Sequence, residues 1–168
     1  QMSPFDWVRE PWRLLRAISD YRATVIFLPN FAYNFCANKI RARDVEGVDL
    51  SSLRLCINGG EPIKFASHRR FYERFESHGL RPGTIYPGYG MAETVFAATV
   101  TEPDKPTLVE QIDRRRVISA HLARPASSDQ PSIPVMSSGR PLPTTTGRLG
   151  AAAGRELPGG PLGRHVLK

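Results

Sequence analysis

The chain is organised around one stretch, Ile85-Tyr86-Pro87-Gly88-Tyr89-Gly90-Met91-Ala92-Glu93-Thr94. A short β-rich run over residues 84–86 reaches Pro87, which lacks the N–H that a strand ladder needs and is expected to stop the strand. The flanking glycines permit a close backbone approach that a Cβ would prevent. Tyr89, held between them, can offer its ring face to a flat ligand, and Glu93 could reach a cation beside that ligand. The same spacing also fits a plain strand-to-helix turn with a packed tyrosine.

Two further strand-like runs precede this stretch, at residues 23–28 and 53–57, and helical patterns separate the three. The first run is rich in β-branched and aromatic residues and predicts a buried strand. Asn30 is expected to cap the helix that follows it. A later helix over residues 67–78 is expected to end at Gly79 in the left-handed conformation. This alternation predicts an α/β fold with a partial parallel sheet of three strands and their helices.

The loops after the three strands are expected to meet at one edge of the sheet, because crossovers between parallel strands are nearly always right-handed. They read Pro29-Asn30-Phe31, Asn58-Gly59-Gly60-Glu61-Pro62 and Pro87-Gly88-Tyr89-Gly90. Ligands of open α/β sheets bind at the carboxyl ends of the strands. The pattern therefore predicts one pocket shared by the three loops, without identifying its ligand.

The run Tyr89-Gly90-Met91-Ala92-Glu93 resembles the Tyr-Gly-x-x-Glu motif of the adenylate-forming ligases, the AMP-dependent synthetase/ligase superfamily. The resemblance is closest to the fatty-acyl-AMP ligases, a branch related to the acyl-CoA synthetases, in which alanine commonly precedes the glutamate. Three more stretches resemble that branch and occur in its order, namely Asn58-Gly59-Gly60-Glu61-Pro62, Pro29-Asn30-Phe31-Ala32-Tyr33 and Ser137-Ser138-Gly139-Arg140-Pro141-Leu142-Pro143.

The resemblance implies an enzyme that uses ATP and Mg²⁺ to activate a fatty acid, or another carboxylic acid, as an acyl-adenylate. The acyl group would then pass to an acyl carrier protein or to CoA. Glu93 would be both the catalytic residue and the magnesium ligand, since a hard cation prefers carboxylate oxygens. Positioning and charge neutralisation would do most of the catalysis.

The resemblance also assigns nucleotide and acyl contacts to two loops. Backbone groups of one loop would line a side of the adenine, and they belong to Gly60, Glu61 and Pro62. The other loop supplies Tyr89, Gly90, Met91 and Ala92. There the tyrosine would lie against the adenine ring, and Gly90 and Met91 would border the acyl pocket. Ala92 stands where many relatives have a hydroxyl that contacts the α-phosphate. Two plainer interpretations stay open, that Glu61 only caps the helix that follows and that Met91 is a core residue.

The composition changes along the chain and predicts three regions. Residues 1–101 form the α/β nucleotide- and acyl-binding portion, residues 102–132 a polar surface excursion or linker, and residues 133–168 the β-rich start of a small β-barrel subdomain. Thr144-Thr145-Thr146-Gly147 is not interpreted as a phosphate loop, because no Gly-Lys-Ser/Thr follows it. The chain resembles the middle of the large N-terminal domain of a longer ligase and is expected to be inactive alone. The alternative is a truncated or degenerate adenylation-like domain that binds nucleotide or a partner without catalysis.

Composition excludes several other classes of protein. The net charge of +7 comes from 23 basic and 16 acidic residues, and the arginines are spread from Arg9 to Arg164, so a solvated face is expected rather than a nucleic-acid-binding surface. No apolar run approaches the roughly 20 residues that a transmembrane helix needs. Cys36 and Cys56 lie in apolar contexts without a paired spacing, which favours buried thiols and a cytoplasmic location. The histidines show no metal-ligand spacing.

Overall fold

Helices and strands alternate through the first half of the chain, as the hydrophobic pattern predicts. The computed structural model describes residues 3–92, 95, 97–103, 105–120 and 122–143. The helices are α1 (Pro4–Arg9), α2 (Trp12–Asp20), α3 (Asn30–Lys39), α4 (Phe65–Phe75) and α5 (Arg114–Ala120). The strands are β1 (Val25–Leu28), β2 (Leu55–Asn58), β3 (Ile85–Tyr89), β4 (Thr99–Val100), β5 (Val109–Asp113), β6 (Ser132–Met136) and β7 (Arg140–Pro141). Two 3₁₀ turns are also present, at Ala42–Val45 and Glu76–His78.

These residues belong to two units, and the main division falls between Tyr86 and Pro87. The first unit contains α1 to α4, β1, β2 and the beginning of β3, together with residues 103 and 105. The second unit contains the end of β3, the strands β4 to β7 and helix α5. The strand with the Tyr-Gly motif at its end therefore starts in one unit and finishes in the other.

A parallel strand pair forms the sheet of the first unit. β1 and β2 pair in parallel over all four residues of each strand, and β3 follows β2 in the strand order. The N–H of Cys56 donates to the carbonyl of Thr84, just before β3, at 2.9 Å. The predicted α/β class with a partial parallel sheet and packed helices is thus confirmed.

The core of this unit lies between the sheet and the helices, and aromatic rings fill much of it. Phe71 of α4 contacts Tyr33 of α3 edge-on with the ring centroids 5.1 Å apart, and Phe75 packs against Phe71 at 4.8 Å. Edge-to-face pairs of this kind add about 0.5–1.5 kcal/mol beyond the area they bury. These three rings and the α2 residues Leu15 and Ile18 are all buried.

Gly79 ends the helical segment as predicted. Its φ is +86°, in the left-handed region, and its N–H donates to the carbonyl of Glu76 at 3.0 Å. Leu80, just after it, is buried and joins the core. An added Cβ would lie 2.9 Å from a carboxylate oxygen of Asp49, so both conformation and space require glycine here.

Two local predictions about β1 and α3 are wrong. Val25 and Phe27 are 52% and 46% exposed, so β1 is not a buried strand. Only its other face, with Ile26 and Leu28, packs against the core. Asn30 does not cap α3 either, because it is the first residue of the helix and Pro29 occupies the cap position. Its side chain is buried and bonds elsewhere.

Pro87 does not stop β3, which continues to Tyr89. The proline lacks an N–H, but its carbonyl accepts both the N–H and the hydroxyl of Thr101, each at 3.2 Å. Gly88 and Tyr89 then pair antiparallel with β4. Pro87 therefore bonds to Thr101 through its carbonyl alone, and the strand continues without the reciprocal bond that an N–H would donate.

In the second unit, β4 pairs antiparallel with both β3 and β7, and β5 pairs antiparallel with β6. The range 102–132, predicted as an excursion or linker, contains β5 and α5, and β6 begins at its end. The described part of the predicted β-rich region, residues 133–143, contains most of β6 and all of β7. The rest of that region, including Thr144-Thr145-Thr146-Gly147, lies outside the described residues. The three regional limits stay a prediction.

Gly139 joins β6 to β7 through a contact that admits no side chain. Its φ is +88°, and a Cβ built there would lie 2.0 Å from the carbonyl carbon of Val100. A contact this short with backbone cannot be relieved by moving a flexible side chain. The close passage of Gly139 against β4 therefore requires glycine.

We expect Gly139→Ala to destabilise the protein by more than about 3 kcal/mol, because a left-handed alanine and a displaced backbone each cost free energy. Gly83→Ala is the matched control, since Gly83 has φ +74° with nothing within 4 Å of an added Cβ. It should cost only about 1 kcal/mol, the strain of a left-handed non-glycine residue. Thermal unfolding of the two variants measures the difference. Equal losses of stability would contradict the steric argument.

Candidate functional site

The two strand-end loops of the first unit are tied together by hydrogen bonds. The carboxylate of Glu61, in the loop after β2, accepts the N–H of Phe31 in the first turn of α3 at 2.5 Å. The N–H of Gly59 donates to the carbonyl of Leu28 at 3.4 Å. A carboxylate is favoured at a helix start because the unpaired N–H groups and the helix dipole leave partial positive charge there. Glu61 therefore caps the helix that precedes its loop, and α4, the helix that follows, has no side-chain cap.

The turn Gly60-Glu61-Pro62 lies at the surface of this unit, and all three of its residues are exposed. Gly60 has φ +85°, which a residue with a Cβ rarely adopts. The nearest atom to an added Cβ would be a ring carbon of Phe27 at 4.0 Å, so the requirement for glycine here is one of conformation. The turn is therefore exposed at the surface with a backbone conformation that favours glycine at its first residue.

Three buried polar side chains connect the elements that carry these loops, and we call them the Asn–Asn–His group: Asn30 at the start of α3, Asn58 at the end of β2 and His68 in the first turn of α4. They are 5%, 0% and 7% exposed. The amide nitrogen of Asn58 lies 2.7 Å from Nε2 of His68 and 3.4 Å from Oδ1 of Asn30. That same Oδ1 accepts the N–H of Lys64 at 3.0 Å. The group thus joins both loops to α4.

In the second unit, the described part of the Tyr-Gly motif sits where β3 ends. The carbonyl of Tyr89 accepts the N–H of Ala98 at 2.8 Å, which closes the turn between β3 and β4. The side chain of Tyr89 is 47% exposed and that of Met91 is 43% exposed. Gly90 is half-buried and Ala92 is exposed. Met91 is therefore not a plain core residue, and the backbone of Tyr89 is held while much of its ring stays accessible.

Glu93, the predicted catalytic and metal-binding residue, lies outside the described residues, and its role stays a prediction. Val95, two positions further on, has φ +66° and is 92% exposed. A β-branched residue in this region is a true conformational outlier, and such outliers cluster at functional sites. Val95 thus carries backbone strain two positions after Glu93 in the sequence.

The fourth resembling stretch, residues 137–143, packs on β4 in the same unit. The hydroxyl of Thr99 donates to the carbonyl of Ser138 at 2.8 Å, and the N–H of Leu142 donates to the carbonyl of Ala98 at 3.0 Å. Ala98 therefore bonds both to the end of the Tyr-Gly strand and to this stretch. β4 holds the two motifs of the second unit in register.

The structure brings the predicted loops together only in part. The loops after β1 and β2 meet within the first unit, as the sheet topology predicts. The third loop begins at Pro87 in the second unit, so a pocket shared by all three stays a prediction. Sequence reasoning missed the Asn–Asn–His group. The sequence contained one signal for it. Asn30 and Asn58 each follow an apolar run, and His68 lies in the helical pattern that comes next.

Cys36 and Cys56 are both buried, as the sequence predicts. Burial raises the pKa of Cys36 and of Cys56 to about 12, so both thiols are protonated and unreactive near neutral pH. Both are free.

Among the described residues no group of three or more His, Cys, Asp and Glu side chains could hold a metal ion. In the same part of the chain, no helix has the length and apolar character needed to cross a membrane.

Comparisons with known proteins agree on one family. The model of the AMP-binding enzyme family matches residues 2–165. The medium-chain-fatty-acid–[acyl-carrier-protein] ligase TtuA of Teredinibacter turnerae is 35% identical over 124 residues, which cover 71% of this chain and 19% of that protein. The ligase of the same description JamA, from Moorena producens, is 34% identical over 146 residues, or 84% of this chain and 24% of that protein.

A solved structure gives the same answer at the level of the fold. The fatty acyl-adenylate ligase from L. pneumophila, determined in complex with acyl adenylate and pyrophosphate, superposes with a TM-score of 0.78 and 34% identity. The match covers 83% of this chain and 25% of that one. The chain thus spans about a fifth to a quarter of the length of the proteins it matches.

The stability of the first unit should depend on pH through His68. Burial lowers the pKa of His68 from 6.5 to about 4. Between these values the unfolded chain binds more protons than the folded one, so the free energy of unfolding falls as pH falls from 6.5 towards 4. The total loss should be roughly 3 kcal/mol, since one pKa unit corresponds to about 1.4 kcal/mol.

Denaturant unfolding followed by tryptophan fluorescence at several pH values measures this loss, and His68→Gln, which cannot titrate, should flatten it. Hydrogen bonds from Arg41 and from the Ser51 N–H lower the pKa values of Asp44 and Asp49 below 3.8. These carboxylates therefore become protonated below the pH range of 6.5 to 4 in which His68 changes the stability. Parallel pH dependences for wild type and variant would contradict the prediction.

Proposed function

The chain belongs to the AMP-binding enzyme family, and we propose that it is the part of a fatty-acid ligase that binds ATP and the acyl group during formation of an acyl-adenylate. The observation that carries the proposal is the turn after β3. Its backbone is held by the bond between Tyr89 and Ala98, while the Tyr89 ring and the Met91 side chain are exposed together. A held backbone with an aromatic face and an apolar neighbour suits a ligand that has a base and an acyl chain.

The reaction is the attack of a fatty-acid carboxylate on the α-phosphate of ATP. A carboxylate oxygen forms the new bond to phosphorus, and pyrophosphate leaves with the electrons of the bond that breaks. Since little covalent chemistry falls to the protein in phosphoryl transfer, its contribution is position and charge.

We assign the nucleotide contacts to two loops. Backbone groups of the turn Gly60-Glu61-Pro62 contact the adenine, supported by the turn's exposure and by the bond that Glu61 makes to α3. The face of Tyr89 lies against the base. The acyl chain is bordered by Gly90 and Met91, and Ala92 leaves the α-phosphate without a side-chain hydroxyl at that position.

Glu93 is proposed as the catalytic residue that holds Mg²⁺. Its carboxylate is the ligand type that Mg²⁺ prefers, and the metal, when bound, neutralises charge on the phosphates of ATP. In the sequence Glu93 follows Tyr89 by four positions, so one short segment supplies both the base contact and the metal ligand.

The acceptor of the acyl group is proposed to be an acyl carrier protein rather than CoA. Two relatives at 35% and 34% identity are named as ligases of acyl carrier proteins. A cytoplasmic location is proposed with it, supported by two free buried cysteines in a chain without disulfide spacing.

A substrate panel tests the function in the full-length protein that carries this chain. Pyrophosphate release is measured with fatty acids of increasing length, with acetate and with amino acids. We expect activity with medium or long acyl chains, because apolar side chains flank the proposed site. A preference for acetate or an amino acid over every fatty acid would overturn the proposal.

Tyr89 should bind the nucleotide through its ring. Tyr89→Ala should weaken ATP binding by about 1–3 kcal/mol, the range for a base stacked on an aromatic side chain. Tyr89→Phe keeps the ring and should change ATP affinity little, so it is the matched control. Isothermal titration with ATP measures both, and similar losses in the two variants would argue against stacking.

Glu93→Gln should reduce adenylation on the order of 10²–10³-fold, the usual effect of losing a group that stabilises charge in the transition state. The change keeps the size of the side chain but removes the charge that holds a hard cation. ATP–pyrophosphate exchange at several magnesium concentrations is the measurement. A rate within a factor of about three of wild type, less than one tenfold step of about 1.4 kcal/mol, would show that the metal assignment is wrong.

A further inference from the structure

The Asn–Asn–His group has a single consistent assignment of donors and acceptors. The backbone N–H of Lys64 can only donate, so the atom of Asn30 that it contacts at 3.0 Å is the carbonyl oxygen Oδ1. The atom of Asn58 that lies 3.4 Å from this oxygen must then be the amide nitrogen, which is a donor. An amide flip of either asparagine would place two acceptors, or two donors, against each other.

The assignment continues to His68. Because the Asn58 nitrogen is a donor, Nε2 of His68, at 2.7 Å, must be an acceptor. The imidazole is therefore neutral and carries its proton on Nδ1. The ring is 7% exposed, and burial favours this uncharged form.

One atom of the group is left without a bond. Oδ1 of Asn58 is fully buried and has no hydrogen-bond partner among the described residues. Such an orphaned acceptor costs free energy, and in native proteins it calls for an explanation. The two contacts of the Asn58 amide nitrogen, to His68 and to Asn30, set the orientation of the amide. Its oxygen is therefore the atom left without a partner among the described residues.

Beyond the group, the bonds lead to the turn Gly60-Glu61-Pro62. Asn30 holds the N–H of Lys64, two residues after the turn, and Asn58 lies two residues before it. Glu61 is bonded in turn to Phe31, the neighbour of Asn30. Contacts to the first two residues of α3 therefore hold the chain before the turn, within it and after it.

We propose that His68 is a positioning residue for ATP, which acts through Asn58 and Asn30 to hold the turn Gly60-Glu61-Pro62 in its nucleotide-binding conformation. The inference rests on the proposed function of that turn. It assigns His68 no contact with ATP. Its acceptor nitrogen fixes the Asn58 amide, and the amide helps to fix the Asn30 side chain that holds the backbone after the turn.

The simpler alternative is that His68 only helps α4 to pack on α3. The chain offers a matched control for that role, because Ser67, the preceding residue of α4, is 1% exposed and accepts a hydrogen bond from Asn34 of α3 at 2.7 Å. This second polar contact between the two helices has no bond to the turn. Ser67→Ala should therefore lower stability while leaving ATP binding unchanged.

The test compares His68→Gln with His68→Asn in the full-length protein that carries this chain. The amide oxygen of glutamine can reach the place of Nε2 and accept the Asn58 bond, whereas asparagine is one methylene too short. We expect His68→Asn to raise the KM for ATP about tenfold with kcat within about threefold, a change of about 1.4 kcal/mol in binding. His68→Gln should stay within about threefold of wild type in both constants.

A KM for ATP that is unchanged in His68→Asn would overturn the proposal. So would a rise in Ser67→Ala that matches the rise in His68→Asn, because loss of helix packing would then explain both. The dissociation constant for ATP, measured by titration calorimetry, gives the same comparison without catalysis. If the wild type binds ATP but activates no fatty acid, the proposed function is wrong. The dissociation constants for ATP of the wild type and the variants then still test the positioning role of His68.

The tautomer is measured on the wild type and does not depend on any variant folding. With ¹⁵N-labelled histidine, NMR at neutral pH should show His68 protonated at Nδ1 and unprotonated at Nε2. A cationic ring, or a proton on Nε2, would break the chain of bonds to Asn58 and overturn the proposal. A structural change that ATP causes elsewhere in the protein does not alter this measurement of the His68 tautomer.

Discussion

The hydrogen bond from the Lys64 N–H to Oδ1 of Asn30 is the interaction on which the first unit's candidate site depends. It makes Asn30 an acceptor, and the identities of the Asn58 donor and the His68 acceptor follow from it. A backbone amide is a good anchor for such a group because it has one role and one direction. The residues on both sides of the exposed turn are thereby bonded to one buried side chain, that of Asn30.

The second unit reaches a similar result mainly through bonds that backbone carbonyls accept. Its Tyr-Gly strand is held by β4, and β4 is held in turn by residues 137–143, which approach so closely that Gly139 has no room for a side chain. Ladder bonds restrict the backbone of Tyr89 without covering its ring. In each unit, hydrogen-bonded secondary structure holds the backbone beside residues whose side chains are exposed.

The buried polar side chains carry a cost that a purely apolar interior would avoid. Asn58 is fully buried with one acceptor unpaired among the described residues, and His68 is buried in its neutral form. Aromatic packing between Tyr33 and Phe71 stabilises the same region. Polar groups in such a place add directional constraint, which apolar contacts of equal area do not supply.

The sequence was enough to predict the α/β class, the three strands and the left-handed Gly79, because each depends on local periodicity or on one residue's backbone preference. It also indicated the family, through four short motifs. It did not reveal that Glu61 caps the preceding helix, that β3 continues through Pro87 or that Asn30, Asn58 and His68 form one group. Each of these depends on which partner another element presents. Hydrogen bonds between residues about 30 positions apart leave no mark in local sequence, since the donor and the acceptor are brought together only when the sheet and its helices pack.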